Sequence, residues 1–159
     1  MRSVNYRLAV EADLQAIHDL LADDALARSR EGFTPTVTAG VSAAFAHILA
    51  SHHDEIWVGD LDGAVVAALQ LTVLEGLSRG GMRRALVESV RVRADLRGNG
   101  IGEGLMEAAA ARARERGCGV IQLTSDRRRD RAHHFYERLG FEASHLGMKR
   151  ALPDAPPED

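Results

Sequence analysis

Three glycines, Gly98, Gly100 and Gly102, follow Arg97 at the point where a strand-like run hands over to the strongest helical pattern in the chain. Arg84 to Arg93 reads as a strand. Gly100 to Arg116 reads as an alanine-rich helix, with Ile101, Leu105, Met106 and Ala109 on one face and Gly117 as its C-cap. Val120 to Thr124 then supplies a short buried strand. Strand, helix and strand in that order form a crossover unit when the outer strands run parallel, and such connections are right-handed. The rest of the chain has to be built around that unit, so the fold is mixed α/β.

Upstream, Val4 to Val10 reads as a strand, and Leu14, Ile17, Leu20 and Leu21 then recur at helical spacing. Asp24 to Gly40 shows no clean period and reads as a mobile or substrate-facing loop. Val41 to His52 recovers a helix through Phe45, Ile48 and Leu49. Glu55 to Asp60 forms a strand that runs into Asp62-Gly63, a strong hairpin signal. Ala64 to Leu74 is the returning arm, and after the break at Gly76 to Gly81 the next strand completes an antiparallel meander. Downstream, Ala132 to Leu139 is a last helix stopped at Gly140, and Phe141 to Leu152 can supply a closing hairpin. The expected architecture is a single domain over residues 1–152. Its mixed, mostly antiparallel central sheet has about six to seven strands and is flanked by about four helices, and residues 153–159 form a disordered tail.

Composition narrows the chemistry. With 159 residues, 45% of them hydrophobic and 27% charged, the chain can bury a core without disulfides or metal. Cys118 is the only cysteine, which excludes an intrachain disulfide and a cysteine zinc cluster. The histidines, among them His52, His53, His133, His134 and His145, lack a metal-ligand spacing with acidic partners, so no metal is expected. There is no long apolar run, so no membrane segment is expected and the expected location is cytoplasmic. A net charge of -3 and an aromatic content of 4% argue against a nucleic-acid partner, despite the local run Arg127-Arg128-Arg129.

Glycines at a strand-to-helix turn let several backbone N–H groups approach one anion, and the helix N-terminus adds favourable partial charge. Arg97 can add a charge-assisted bond, and a diphosphate suits such a nest better than a carboxylate does. The same glycines would equally serve a tight turn that packs a helix closely on a sheet. A P-loop requires Lys and then Ser or Thr after its second Gly, whereas Glu103 and Gly104 follow Gly102. A dinucleotide fingerprint starting at Gly98 requires Gly at position 103, where Glu103 stands, and the turn comes too late in the chain.

Arg97-Gly98-Asn99-Gly100-Ile101-Gly102, preceded by the strand Val87-Glu88-Ser89-Val90-Arg91-Val92 and followed by His134-Phe135-Tyr136-Glu137-Arg138-Leu139-Gly140-Phe141, resembles the GNAT superfamily of N-acetyltransferases. The turn matches the family's Arg/Gln-x-x-Gly-x-Gly/Ala signature. The resemblance is specific from about Leu86 to Phe141, while residues 1–80 match in element order alone. It implies the acyl-CoA N-acyltransferase fold, with acetyl-CoA as cosubstrate and no metal. It places the pantetheine arm on backbone groups of Val90, Arg91 and Val92, and the pyrophosphate on Arg97, Gly98, Asn99, Gly100, Ile101 and Gly102. One position departs from the pattern: many relatives carry Asn three residues before the Ala that opens the Phe-Tyr motif, and here Arg129 precedes Ala132. Arg127, Arg128 or Arg129 can reach a 3′-phosphate of the coenzyme or simply form a solvated loop.

An alkylamine with pKa near ~10.4 is mostly protonated at neutral pH, so acetyl transfer to it needs a base. The resemblance points to Glu88 for that role, acting through water; the other reading of Glu88 is a structural carboxylate that pairs with Arg91. Tyr136 matches the family's general acid for the departing thiolate, or else it packs the last helix beside Phe135 and Phe141. A strand N–H such as that of Val90 would hold the developing oxyanion. A covalent route through Cys118 is disfavoured by its place at the far end of the helix from the turn. The expected activity is N-acetyl transfer from acetyl-CoA to a primary amine by direct attack in a ternary complex. The acceptor is expected to be a small molecule rather than a protein, and the family leaves a homodimer open. The alternative is an acyl-CoA-binding sensor or interaction module with little catalysis.

Overall fold

Asp62 and Gly63 lie at φ of 54° and 87°, the left-handed geometry of a tight two-residue hairpin loop, and they join β2 (Asp54–Leu61) to β3 (Ala64–Leu74). Asp60 reinforces the turn by accepting the Gly63 N–H on its carboxylate at 2.7 Å. This hairpin starts the meander of a five-stranded sheet in the order β1 (Asn5–Leu8), β2, β3, β4 (Arg83–Val92), β5 (Cys118–Leu123). The pairings are antiparallel except β4 with β5, which is parallel. The computed structural model describes residues 3–29 and 34–153, in two compact units, Met1–Leu123 and Thr124–Asp159. Most of the tail expected to be disordered, residues 154–159, lies outside the described residues.

In the first unit the sheet is covered on both faces. Ile56, Val58 and Ala68 pack with Ile17 and Leu20 of α1 (Leu14–Ala22) and Phe45 of α3 (Ala39–Ala50). Alternation along β3 sends Leu69, Leu71 and Val73 to the opposite face, where α4 (Ile101–Glu115) buries Leu105, Met106, Ala109 and Ala113. Full burial of side chains such as Leu69, Leu71 and Leu105 stabilises by about 1.5–3 kcal/mol each. α4 connects β4 to β5, which makes it the crossover helix that the sequence pattern demands.

Two ion-pair clusters fix the frame. Arg7 of β1 bridges Asp13 at 2.7 Å and Asp60 at 3.0 Å. Glu55 of β2 accepts from Arg112 at 2.7 Å, Arg116 at 2.8 Å and Trp57 Nε1 at 2.9 Å, which holds the C-terminal end of α4 on the sheet. Burial alone would raise the Glu55 carboxyl, but the hydrogen bonds from Arg112 and Trp57, with the charges of Arg112 and Arg116, hold it below its ordinary range.

The sheet has fewer strands than the six to seven expected. Among the described residues 141–152 form no strand, so the closing hairpin is not made. A tight hairpin needs residues at positive φ, and none of the described residues from 141 to 152 has one, the nearest being Gly140. Residues 24–40, expected to be a loop, contain the one-turn helix α2 (Ala25–Arg28) and the start of α3, whose N-cap Thr38 accepts the Val41 N–H. The second unit carries α5 (Asp130–Arg138), stopped at Gly140 with φ of 86°.

Gly104 lies inside α4, where Ala would ordinarily gain about 1 kcal/mol. A Cβ at this position would meet the Tyr6 ring 2.5 Å from Cζ, and the Tyr6 hydroxyl donates to Ile101 O at 3.1 Å. Gly104→Ala is therefore expected to destabilise by about 1–3 kcal/mol, the cost of overpacking. Denaturant unfolding measures this, and a neutral or stabilised variant would refute the close approach.

Candidate active site

The site begins with a defect in β4. Gln70 pairs with Glu88 and Ala68 pairs with Arg91, so Ser89 and Val90 together oppose the single residue Leu69. This is a β-bulge, and Ser89 carries its strain at φ 54°. Under strict alternation Glu88 and Arg91 would point to opposite faces. The extra residue puts both on the face of Gln70 and Ala68, the one covered by α1 and α3.

The bulge also coincides with the end of the parallel ladder. β4 pairs with β5 from Arg83 to Val87 and no further among the described residues, so its outer edge is open from Glu88 onward. Arg93 N–H donates to Val66 O on the β3 side at 2.8 Å, and by alternation Val92 turns its backbone groups to the open edge. The carbonyl of Val92 accepts from Arg97 Nε at 3.0 Å, and that of Val90 accepts from Arg91 Nη1 at 2.8 Å, so both lie off the β3 ladder.

A short 3₁₀ turn (Ala94–Leu96) leads from β4 into the glycine turn. Gly98 and Gly100 lie at φ of 81° and 76°, and Gly100 is the N-cap of α4. A Cβ at either would meet nothing within 4 Å, so the backbone conformation, and not crowding, calls for glycine there. Close packing of this helix on the sheet falls instead to Gly104, which the sequence reading passed over. The first amides of α4 have no intrahelical acceptor, and the turn around them is exposed. Asn99 stays local, donating to Leu96 O at 3.1 Å.

Glu88 is exposed and makes no ion pair among the described residues. The Arg91 pairing considered from sequence is not made; Arg91 instead pairs with Asp24 at 3.1 Å, with both side chains mostly buried. The first unit thus brings together Glu88, Val90, Arg91, Val92 and Arg97 to Gly102. Tyr136 belongs to the second unit, on α5, where its ring meets Phe135 edge-on at 5.1 Å and Phe141 at 5.8 Å. In the same unit Arg128 pairs with Asp126 at 2.7 Å, and this hydrogen bond pulls the Asp126 carboxyl far below its usual range.

The sequence reading missed Asp23 and Asp24. Their signal is present: two carboxylates follow directly on a helix C-terminus, where the dipole disfavours them, which points to cationic partners elsewhere. Among the described residues no three His, Cys, Asp or Glu side chains gather as a metal site would need, and no helix is long and apolar enough to cross a membrane.

The family model described as Acetyltransferase (GNAT) family matches residues 14–141. A transcriptional regulator from Bacillus halodurans C-125 has a similar structure, with a TM-score of 0.89 and 41% identity, over 94% of this chain and 99% of that one. A putative acetyltransferase from Agrobacterium tumefaciens str. C58 superposes with a TM-score of 0.81 and 28% identity, over 93% of this chain and 99% of that one. The chain is also 31% identical over 90 residues to a glucosamine 6-phosphate N-acetyltransferase of Trypanosoma brucei brucei, a match that spans 57% of this chain and 59% of that protein.

Ser89 pays for the bulge with a backbone conformation that a β-branched residue resists. Ser89→Gly is expected to keep or raise stability by up to about 1 kcal/mol. Ser89→Val is expected to lose about 1–3 kcal/mol. Thermal unfolding checks both, and a Val variant as stable as the parent would show that the positive φ is dispensable.

Proposed function

The chain belongs to the acetyltransferase (GNAT) family, and from that premise we propose that it moves the acetyl group of acetyl-CoA to the primary amine of a small molecule by direct attack in a ternary complex. The observation that carries this reading is the bulged, open-edged β4 running straight into a glycine turn at a helix N-terminus. Backbone groups of Val90 and Val92 hold the pantetheine arm along the open edge, while Arg91, expected with them, turns its backbone groups to β3 by the same alternation. Arg97, Gly98, Asn99, Gly100, Ile101 and Gly102 hold the diphosphate, with the α4 amides and the Arg97 guanidinium as donors.

Glu88 takes the proton of the incoming ammonium through water; its exposure and its lack of an ion pair support that role. The N–H of Val90 stabilises the oxyanion as the amine adds to the thioester carbonyl. When the carbon–sulfur bond breaks, the Tyr136 hydroxyl gives its proton to the departing thiolate. A small-molecule acceptor is supported by the Trypanosoma brucei brucei relative, a glucosamine 6-phosphate N-acetyltransferase. The Bacillus halodurans neighbour, a transcriptional regulator, favours a second reading in which the chain binds acyl-CoA as a sensor and turns over little.

Thiol release from acetyl-CoA, followed against a panel of amines, polyamines, amino sugars, aminoglycosides and peptides, separates the readings. Turnover on a small amine supports the enzyme, whereas coenzyme binding with no turnover on any acceptor supports the sensor. Once an acceptor is found, Glu88→Gln and Tyr136→Phe are each expected to lower kcat by about 10²-fold, with coenzyme A affinity retained. Unchanged kcat in either variant removes that residue from the mechanism.

A further inference from the structure

The corner between α1 and α2 is tied to the glycine turn more closely than the chain order requires. Asp23, the C-cap of α1, accepts the Ala94 N–H on Oδ2 at 3.3 Å and accepts Arg97 Nη2 on its backbone carbonyl at 3.3 Å. Its carboxylate lies 3.9 Å from the same guanidinium. Arg97 is thus held between two neutral carbonyls, those of Val92 and Asp23, with a carboxylate close by. The neighbouring Asp24 takes Arg91. Consecutive carboxylates at the negative end of a helix dipole are disfavoured unless cations offset them, and here two arginines of the coenzyme side do so.

We infer that Asp23 is a positioning residue for Arg97: it keeps the guanidinium on the α1–α2 corner until the diphosphate of the coenzyme takes it over, which couples coenzyme binding to that corner. The inference rests on the diphosphate reading of residues 97–102. The exchange is favourable because a diphosphate offers the guanidinium an opposite charge and acceptors for a bidentate fork, which two neutral carbonyls do not. The Asp23 carboxylate opposes it, by attracting Arg97 and by repelling the incoming anion. Asp23 therefore holds coenzyme affinity below what the turn alone would reach, and its grip on Arg97 returns when the product leaves.

Calorimetric titration of coenzyme A into the full chain tests this with four proteins: wild type, Asp23→Asn, Arg97→Gln and the double variant. Asn keeps the size of the side chain and an oxygen for Ala94 while removing the charge. Asp23→Asn is expected to bind coenzyme A about threefold more tightly at low ionic strength, the scale of one charge contact through water. That gain should fade near 0.5 M salt, where the screening length is only ~4 Å. In the Arg97→Gln background the gain should fall by more than half, because Asp23 acts through Arg97. A purely structural Asp23 would give the opposite sign, with weaker binding and a lower Tm. Equal or weaker binding by Asp23→Asn, or the same gain with and without Arg97, overturns the inference while leaving the diphosphate site intact. A wild-type chain that does not bind coenzyme A removes the diphosphate reading and the inference together.

Discussion

The structure depends on the backbone of Ser89. β4 has two incompatible tasks: its first half completes a parallel ladder with β5, and its second half must leave that ladder with an open edge beside the glycine turn. The ladder ends where β5 ends, at the Val87–Leu123 pair, and the bulge follows directly on it. One extra residue in β4, held at positive φ, keeps the β3 ladder on both sides of the defect. The bend of the strand, the shared face of Glu88 and Arg91, and the aim of β4 into the α4 N-terminus all follow from that residue.

α4 extends the same logic along its length. Its C-terminal end is fixed to β2 by Glu55, Arg112 and Arg116, and its first turn is fixed by the contact of Tyr6 with Gly104. Between these anchors Leu105, Met106 and Ala109 are buried on the sheet. The helix is therefore rigid where its amides open to solvent, and a nest of donors held in place costs little reorganisation when an anion arrives.

How much of this could be read from the sequence varied with the kind of signal. Asp62-Gly63 announced its hairpin because a loop that needs positive φ draws glycine, and Gly98 and Gly100 announced the turn for the same reason. The α4 face was legible because helical spacing is a local property. The bulge was not, since Ser89 adopts φ 54° without the glycine that would have flagged it. Partners across the fold were hidden as well: Arg91 could have paired with Glu88, three residues away, and only the packing of α1 beside β4 brings Asp24 to it. Segment 141–152 misled in the other direction, because apolar residues near Gly140 suggest strands while a hairpin also needs a turn that the backbone does not make.

The Asp24–Arg91 pair also bears on Glu88. The bulge places Glu88 and Arg91 on one face, where an arginine could have neutralised the carboxylate and reduced it to a structural group. With Arg91 engaged by Asp24 in a mostly buried pair, moving it to exposed Glu88 would exchange that pair for a surface one, which returns little. Glu88 is thus left facing solvent without an ion pair among the described residues, because a residue from another element has taken the nearby cation. A carboxylate left without an ion pair suits the proposed acceptance of a proton through water, and the α1–α2 corner that supplies Asp24 thereby helps keep Glu88 available for it.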